Sequence, residues 1–322
     1  MKKSVQRKSQ LFLLICFLSL SFFQSTVFAT ADYYRIAILG DPHLPFSTER
    51  FNDPVKQEKV FATKLKVRND INSWDDVALV AVVGDIVAES GSTLEYDSAK
   101  QYFADFSAPI MPVTGNHDFV YADRQTSSGK LIRGDSSSRG LKLERFREAF
   151  GLKHLSYTKE LGPYLLVFLS LESDNPAFLL AQYSPEQLQW LREQLQKQPD
   201  KPTLIFSHPP LKDTLLPYNK SANTPSFYAQ PHHEIHQLLA DYPQIFLWVS
   251  GHTHTPPNNV NFHSENNLFD GRVWNIHNTD MDRETIWTRS LYLYPDKVVV
   301  RTFNHRTGQW LDDVERIITR SR

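Results

Sequence analysis

The chain has 322 residues, of which 41% are hydrophobic and 22% charged, so it can bury a core and is neither a disordered tail nor a disulfide-rich miniprotein. Its 35 basic side chains nearly balance its 36 acidic ones, and we therefore expect no specific nucleic-acid binding. Residues 1–29 carry Lys2, Lys3, Arg7 and Lys8 but no acidic residue, so the rest of the chain is mildly acidic.

Residues 1–29 match the pattern of a secretory signal peptide. A cationic start is followed by an apolar run over residues 11–23 and then by Val27-Phe28-Ala29, which fits a small-x-small cleavage site. The run has about 13 residues, fewer than the roughly 20 that a permanent transmembrane helix needs. We expect cleavage after Ala29, export to the periplasm or the cell exterior, and no stable membrane span. The alternative is that the segment is retained as an anchor.

The only cysteine, Cys16, lies within this segment. The mature chain would therefore contain no thiol, which excludes disulfides, thiolate metal ligands and a cysteine nucleophile. Histidines and carboxylates remain for any metal chemistry.

Beyond the signal segment, short apolar runs alternate with stretches of helical period, as in a layered α/β domain. We expect one domain over residues 30–322, since no long linker or internal repeat divides it. The alternation by itself favours a single doubly wound sheet. In chain order the prediction is strand 34–39, helix 55–71, strand 77–83, helix 94–106, strand 110–113, loop 119–140, strand 164–171, helix 184–198, strand 203–206, loop 211–231, strand 245–249, loop 255–271, and strands 273–276, 290–294 and 297–303.

The helix at 184–198 has the clearest local signals. Ser184 and Gln187 form the S-x-x-Q pattern of a capping box, and Pro185 suits the first helical turn.

Polar residues follow five of the predicted strands, at the point where each strand ends. Ligands of α/β proteins bind at the carboxyl ends of strands, so five such clusters indicate one shared site. Asp, Asn and His offer oxygen and nitrogen ligands to hard or borderline divalent metals. The clusters are Asp41-Pro42-His43, Gly84-Asp85, Gly115-Asn116-His117-Asp118, Ser207-His208 and Gly251-His252-Thr253-His254.

In this order, the motifs D-x-H, G-D, G-N-H-D, S-H-P-P and G-H-T-H resemble those of the calcineurin-like metallophosphoesterase superfamily, from about Tyr34 to Trp310. The resemblance implies an α/β fold with a β-sandwich of two mixed sheets flanked by helices, in four αββα layers. A sandwich of two sheets replaces the single doubly wound sheet that the alternation of elements favours. The closing strands from Val273 to Phe303 would then belong to the second sheet.

The resemblance also implies a centre of two divalent metal ions, which could be Mn, Zn or Fe. Asp41, His43 and His254 would hold one ion, Asn116, His208 and His252 the other, and Asp85 would bridge both. His117 would face the substrate as a general acid with its ring oriented by Asp118, while a hydroxide bridging the metals attacks phosphorus in line. Ala88 stands where purple acid phosphatases have a tyrosine, so a ferric-tyrosinate centre is not expected.

The motifs predict a metal-dependent phosphoester hydrolase but leave its substrate open. An exported phosphomonoesterase or nucleotidase, or a phosphodiesterase, acting on a small-molecule or envelope phosphoester fits the signal segment. A phosphodiesterase of the cyclic-nucleotide type and a non-catalytic metal- or phosphate-binding scaffold are the alternatives. The oligomeric state stays open.

Four further histidines could contribute to a site. His232, His233 and His236 resemble a zincin motif only loosely, because one residue too few separates Glu234 from His236, and an exposed helix start is the simpler interpretation. His277 follows a predicted strand and could line the pocket.

Overall fold

Two β-sheets pack face to face, with helices on both outer faces, in a computed structural model that describes residues 32–48, 50–127, 129–215 and 222–319. The signal segment predicted at residues 1–29 lies outside the described residues. In chain order the elements are β1 (Tyr34–Leu39), α1 (Pro54–Asn72), β2 (Val77–Val83), α2 (Thr93–Ala104), β3 (Ile110–Val113), α3 (Asn116–Phe119), β4 (Tyr121–Gln125), β5 (Leu131–Arg133), α4 (Ser136–Ala149), β6 (Tyr157–Leu161), β7 (Tyr164–Leu169), α5 (Pro185–Lys197), β8 (Thr203–Ser207), α6 (His232–Asp241), β9 (Ile245–Ser250), β10 (Leu268–Phe269), β11 (Val273–His277), β12 (Trp287–Leu293), β13 (Lys297–Asn304), β14 (Gln309–Trp310) and β15 (Arg316–Thr319).

Both sheets are mixed. The first has the strand order β14-β13-β12-β1-β2-β3, with β15 also paired to β13, and it is parallel from β1 to β3 and antiparallel elsewhere. The second has the order β10-β11-β9-β8-β7-β6, with a parallel centre and an antiparallel strand at each edge. The strands β4 and β5 form a separate hairpin.

The core between the sheets is apolar and comes from both of them. Ile36 and Leu291 of the first sheet pack with Phe168, Phe206 and Val249 of the second, and all five are fully buried. Alternate residues of the same strands point outward, toward the helices.

Each sheet is covered on its outer face by helices. Val67 and Ile71 of α1 pack with α2 on the first sheet, and Leu191 of α5 packs with Leu238 of α6 on the second. The order helix, sheet, sheet, helix confirms the four-layer fold that the motifs implied. None of the helices in the described residues is long and apolar enough to cross a membrane.

The closing strands are divided between the two sheets, so the expectation that they all belong to the second sheet was wrong. Strand β11 pairs with β9 in the second sheet, whereas β12 pairs antiparallel with β1 in the first. Leu291 and Leu293 of β12 thereby extend the apolar face that β1 presents to the inter-sheet core.

Residues 119–140, predicted as a loop, contain the β4–β5 hairpin and the start of α4. The sequence of α4 begins with three serines and includes Gly140, all poor helix formers. Its stability comes from tertiary contacts: the buried Lys142 donates hydrogen bonds to the carbonyl oxygens of Ser90 and Tyr121 and to Asp123. Local propensity therefore could not reveal it.

Candidate metal centre

The seven side chains predicted as metal ligands converge where strands of both sheets end. Asp41, His43, Asp85 and His254 offer ligand atoms within 4.8 Å of one another, and so do Asp85, His208 and His252. Asn116 joins the second group, because its Oδ1 lies 3.2 Å from Nε2 of His208. We call Asp41, His43 and His254 the first half-site, and Asn116, His208 and His252 the second half-site.

Asp85 belongs to both groups. Its Oδ2 lies 3.2 Å from Nε2 of His208 and 3.7 Å from Nε2 of His43. Its Oδ1 accepts a hydrogen bond of 2.8 Å from the backbone N–H of His117, which fixes the orientation of the carboxylate. One carboxylate oxygen therefore lies between imidazoles of the two half-sites, as a bridging ligand requires.

Each histidine that is backed by a hydrogen bond has one ring nitrogen left for a metal. His43 Nδ1 donates to Asp282 Oδ2 over 3.2 Å, His208 Nδ1 donates to the Val83 carbonyl over 2.9 Å, and His252 Nε2 donates to the Ser226 carbonyl over 2.9 Å. Such bonds fix the tautomer of a metal-binding histidine. Nε2 of His43 is buried without any hydrogen-bond partner, and its lone pair could instead coordinate a metal ion. The residues present thus fit a pair of divalent cations.

The centre holds opposite charges in a region shielded from water. Burial alone would lower the pKa of His43 and of His208, but neighbouring carboxylates raise them to about 10 and about 9. Burial and the adjacent His208 lower the pKa of His252 to about 4. Burial would raise the pKa of Asp85, yet His208 holds it well below the usual range. A cation entering the centre would displace protons from His43 and His208, since only neutral imidazoles bind metals.

The backbone at the site is strained. Seven non-glycine residues among those described have positive φ angles, and five of them are predicted ligands. Left-handed backbone costs on the order of 1 kcal/mol or more for a residue with a Cβ, and it persists where the surrounding structure enforces it. The five are Asp41 (41°), His43 (48°), Asp85 (49°), His252 (65°) and His254 (46°).

Two glycines allow the ligand loops to approach one another closely. A Cβ on Gly251 would overlap Oδ1 of Asp41, and a Cβ on Gly115 would overlap Oδ1 of Asp85. Asp41 is fully buried and also accepts the N–H of His252, so it has no room to retreat. The glycines of the G-H-T-H and G-N-H-D motifs are therefore needed for space.

We expect Gly251→Ala to lower kcat by about 10²-fold, the usual cost of a misplacement of about 1 Å in a catalytic group. Steady-state kinetics and metal content would be measured together with Gly140→Ala as control. Gly140 lies in α4 with open space around its Cβ position, so alanine there should leave kcat unchanged and preserve or raise the melting temperature. Equal kinetics for both variants would contradict a spatial requirement at Gly251.

His117 lies beside the centre, where its ring contacts His43 at a centroid distance of 5.3 Å and Tyr121 at 5.1 Å. Its Nδ1 donates a 2.9 Å hydrogen bond to the carbonyl oxygen of Glu89. Burial lowers the pKa of His117, and Asp85 opposes that effect.

Asp118 does not orient the His117 ring, contrary to the expectation from the motif. Its carboxylate accepts hydrogen bonds from the backbone N–H groups of Ile86 and Val87, at 3.0 and 3.2 Å, and of Gly115, at 2.7 Å. As the third residue of α3 it points back toward the helix start, away from His117. Asp118 therefore fastens the Asp85 loop to the Asn116 loop.

Sequence reasoning missed Asp280 and Asp282, which lie behind the first half-site on the segment that follows β11. The same signal that found the ligands, a carboxylate shortly after a strand, is present in Asp280-Met281-Asp282.

The remaining histidines lie outside the centre. His277 is fully buried and contacts Asn275, and burial lowers its pKa to about 3. His232 begins helix α6, which confirms the interpretation as a helix start. In the described part of the chain, the two groups of His, Asp and Glu that are close enough to hold a metal ion consist of Asp85 and residues of the two half-sites.

The chain is similar to known proteins in both sequence and fold. The sequence model of the calcineurin-like phosphoesterases matches residues 34–256. A 3′,5′-cyclic-nucleotide phosphodiesterase from Nostoc sp. is 25% identical over 221 residues, which are 68% of this chain and 71% of that protein. A 3′,5′-cyclic adenosine monophosphate phosphodiesterase from Haemophilus influenzae is 28% identical over 224 residues, which are 70% and 71% of the two proteins.

The fold has a counterpart among solved structures. A dimetal phosphatase from Danio rerio superposes with a TM-score of 0.55 over 89% of this chain and 99% of that chain, at 16% identity. At this identity the likeness supports the shared fold alone.

Proposed function

The chain belongs to the calcineurin-like phosphoesterase family and is a metal-dependent phosphoester hydrolase, and we propose that it is exported and uses two divalent ions on either side of Asp85. The observation that carries the proposal is that the ligand atoms of Asp85 lie close to those of both half-sites. A carboxylate shared by two imidazole-rich groups suits a pair of cations better than a single one.

In this proposal the first half-site and Asp85 hold one ion, and the second half-site and Asp85 hold the other. When bound, two divalent ions acidify a water molecule and neutralise charge on the phosphoryl oxygens. The donors are oxygen and nitrogen atoms, which suits Mn, Zn and Fe alike. Ala88 supplies no phenolate to the centre.

His117 would deliver a proton to the leaving oxygen. Its Nδ1 is committed to the Glu89 carbonyl, so the neutral ring has an unprotonated Nε2 and only the imidazolium can donate from that atom. The carbonyl also stabilises the imidazolium, because it accepts the Nδ1 proton of either form. His117 is thus oriented by backbone and serves as acid in its protonated form.

The similarity to two known phosphodiesterases supports phosphodiesters as substrates. Both curated relatives are named as cyclic-nucleotide phosphodiesterases, and their similarity covers more than two thirds of this chain. If the protein is exported as proposed, it is separated from cytosolic second messengers, and its substrate would be a diester among nutrient or envelope molecules. Monoesters, including nucleotides, are the second candidate.

A substrate panel tests the proposed activity. After chelation, the protein would be assayed with bis(4-nitrophenyl) phosphate, 4-nitrophenyl phosphate, cyclic AMP and AMP, before and after addition of Mn²⁺, Zn²⁺ or Fe²⁺. We expect no turnover without metal and restored hydrolysis with it, fastest on a diester. A protein that binds two metals yet hydrolyses none of the four would instead be a binding scaffold.

Export is tested by the mature N-terminus. Because residues 27–29 fit a cleavage site, intact-mass measurement of the exported protein should find Thr30 as the first residue. The comparison protein would carry Ala29→Arg, which should block cleavage by removing the small residue at the cut. A mature chain that retains residues 1–29 in both proteins would favour an anchor.

A further inference from the structure

We propose that Asp282, held by Lys64, is a positioning residue that fixes His43 as a ligand and makes the first half-site bind its metal more tightly than the second. The inference rests on the proposed two-metal function and adds an order of loading to it. It assigns a role to a buried ion pair that lies outside the seven predicted ligands.

Asp282 is buried, and its carboxylate contacts the His43 loop and the side chain of Lys64 on α1. Oδ2 accepts the Nδ1 proton of His43 at 3.2 Å and the backbone N–H of Ser47 at 3.1 Å. Oδ1 accepts a proton of Lys64 Nζ at 2.6 Å. The carboxylate therefore determines which His43 nitrogen carries a proton, and Nε2 remains directed toward Asp85.

Lys64 reaches the same loop from helix α1. Its ammonium group is fully buried and also donates to the carbonyl oxygens of His43, at 2.6 Å, and Pro45, at 3.0 Å. The three N–H donors of the ammonium group are thus all used, by the carbonyl oxygens of His43 and Pro45 and by Asp282. Lys64 thereby places a positive charge against the Asp282 carboxylate and fixes the backbone of the His43 loop at the same time.

In the part of the chain that the structure describes, no carboxylate backs His208 or His252 in this way. His208 is backed by the carbonyl oxygen of Val83 and His252 by that of Ser226, both neutral acceptors. An ionised carboxylate makes the imidazole that donates to it more basic than a carbonyl does, and a more basic imidazole is a stronger metal ligand. Because a carboxylate backs His43 and only carbonyl oxygens back His208 and His252, we expect the first half-site to bind its metal ion more tightly than the second.

The first half-site also contains the additional carboxylate Asp41, so its ligands carry more negative charge than those of the second half-site. Asp280 lies behind His254, with 3.8 Å between Oδ2 and Nδ1, and forms ion pairs with Arg50 and Arg283. Those two cations compensate Asp280, as Lys64 compensates Asp282. The expected gain in metal affinity therefore comes from the basicity of His43 and from the charge of Asp41, because Asp280 and Asp282 are each paired with neighbouring cations.

Titration of the chelated full-length protein with Mn²⁺, followed by calorimetry and by electron paramagnetic resonance, tests the inference. We expect two binding steps in the wild type. Asp282→Asn should weaken the tighter step by about 10- to 100-fold, the usual cost of removing a carboxylate partner of a ligand histidine. The weaker step should change by less than about threefold, since the second half-site does not contact Asp282.

Two controls separate positioning from general loosening of the fold. Asp70 lies on α1, as Lys64 does, and its Oδ2 accepts a hydrogen bond of 2.8 Å from Nδ1 of the buried His305. Asp70→Asn removes this carboxylate partner and should leave both binding steps unchanged. Lys64→Met should lower the melting temperature and weaken the tighter step less than Asp282→Asn does, since the Asp282 carboxylate still accepts the Nδ1 proton of His43. If Lys64→Met and Asp282→Asn weaken the tighter step equally, the pair is only structural and the inference is wrong.

If Asp282→Asn does not fold, the double variant Lys64→Met, Asp282→Asn removes both buried charges and carries the same expectation. Failure of the inference is distinct from failure of the proposed function. A wild type that binds fewer than two Mn²⁺ ions would contradict both. Two ions bound with no effect of Asp282→Asn would contradict the positioning role alone.

Discussion

Replacing Asp85 with asparagine should leave the protein unable to retain two metal ions at once. The amide oxygen of asparagine can still accept the N–H of His117, so the backbone around the centre should persist. The atom that would lie between His43 and His208, however, becomes an uncharged donor in place of an anionic oxygen. Both half-sites lose the same negative charge, and a buried cation without it is strongly disfavoured.

The measurement is metal content by mass spectrometry after passage through a desalting column. His43→Asn is the matched comparison, because it removes a ligand that only the first half-site uses. We expect His43→Asn to retain close to one ion per chain and Asp85→Asn to retain fewer. Two tightly held ions in Asp85→Asn would show that Asp85 does not bridge the metals.

The positions of the candidate ligands were predictable because they follow a rule that sequence alone exposes. Buried parallel strands are recognisable as apolar runs, and their carboxyl ends meet at one edge. Asp41, Asp85 and His208 could therefore be assigned to one site before any contact was known. The division of the ligands into two half-sites came from the family resemblance, and the shared position of Asp85 agrees with it.

Other features depend on contacts between distant segments, which local sequence does not encode. Asp118 accepts a hydrogen bond from Ile86, which lies 32 residues away in the sequence, and does not contact the neighbouring His117 ring as the motif implied. The buried ion pair joins Lys64 and Asp282, which are 218 residues apart. Helix α4 formed despite weak propensity for the same reason. The positive φ angles of the ligands are likewise enforced by the convergence of loops from two sheets.

Replacing His117 with alanine should lower kcat by about 10²- to 10⁴-fold while leaving metal content nearly intact, which is the usual range for the loss of general acid assistance. The ring touches the centre without belonging to either group of ligand atoms. Its backbone N–H, which holds Asp85, is kept in the variant. Metal content measured beside the kinetics separates the acid role from a ligand role, because loss of an ion would assign His117 to the metals.

The size of the loss should depend on the leaving group. An alkoxide leaving from an alkyl phosphoester needs a proton as the bond to phosphorus breaks, whereas nitrophenolate is already a stable anion. His117→Ala should therefore be severely impaired on an alkyl ester and much less on a nitrophenyl ester. His154→Ala removes an exposed imidazole far along the chain from the ligand motifs, and it should leave both rates unchanged. If His117→Ala loses the same factor on both esters, the ring acts by positioning or charge, and the proton for the leaving oxygen comes from another donor.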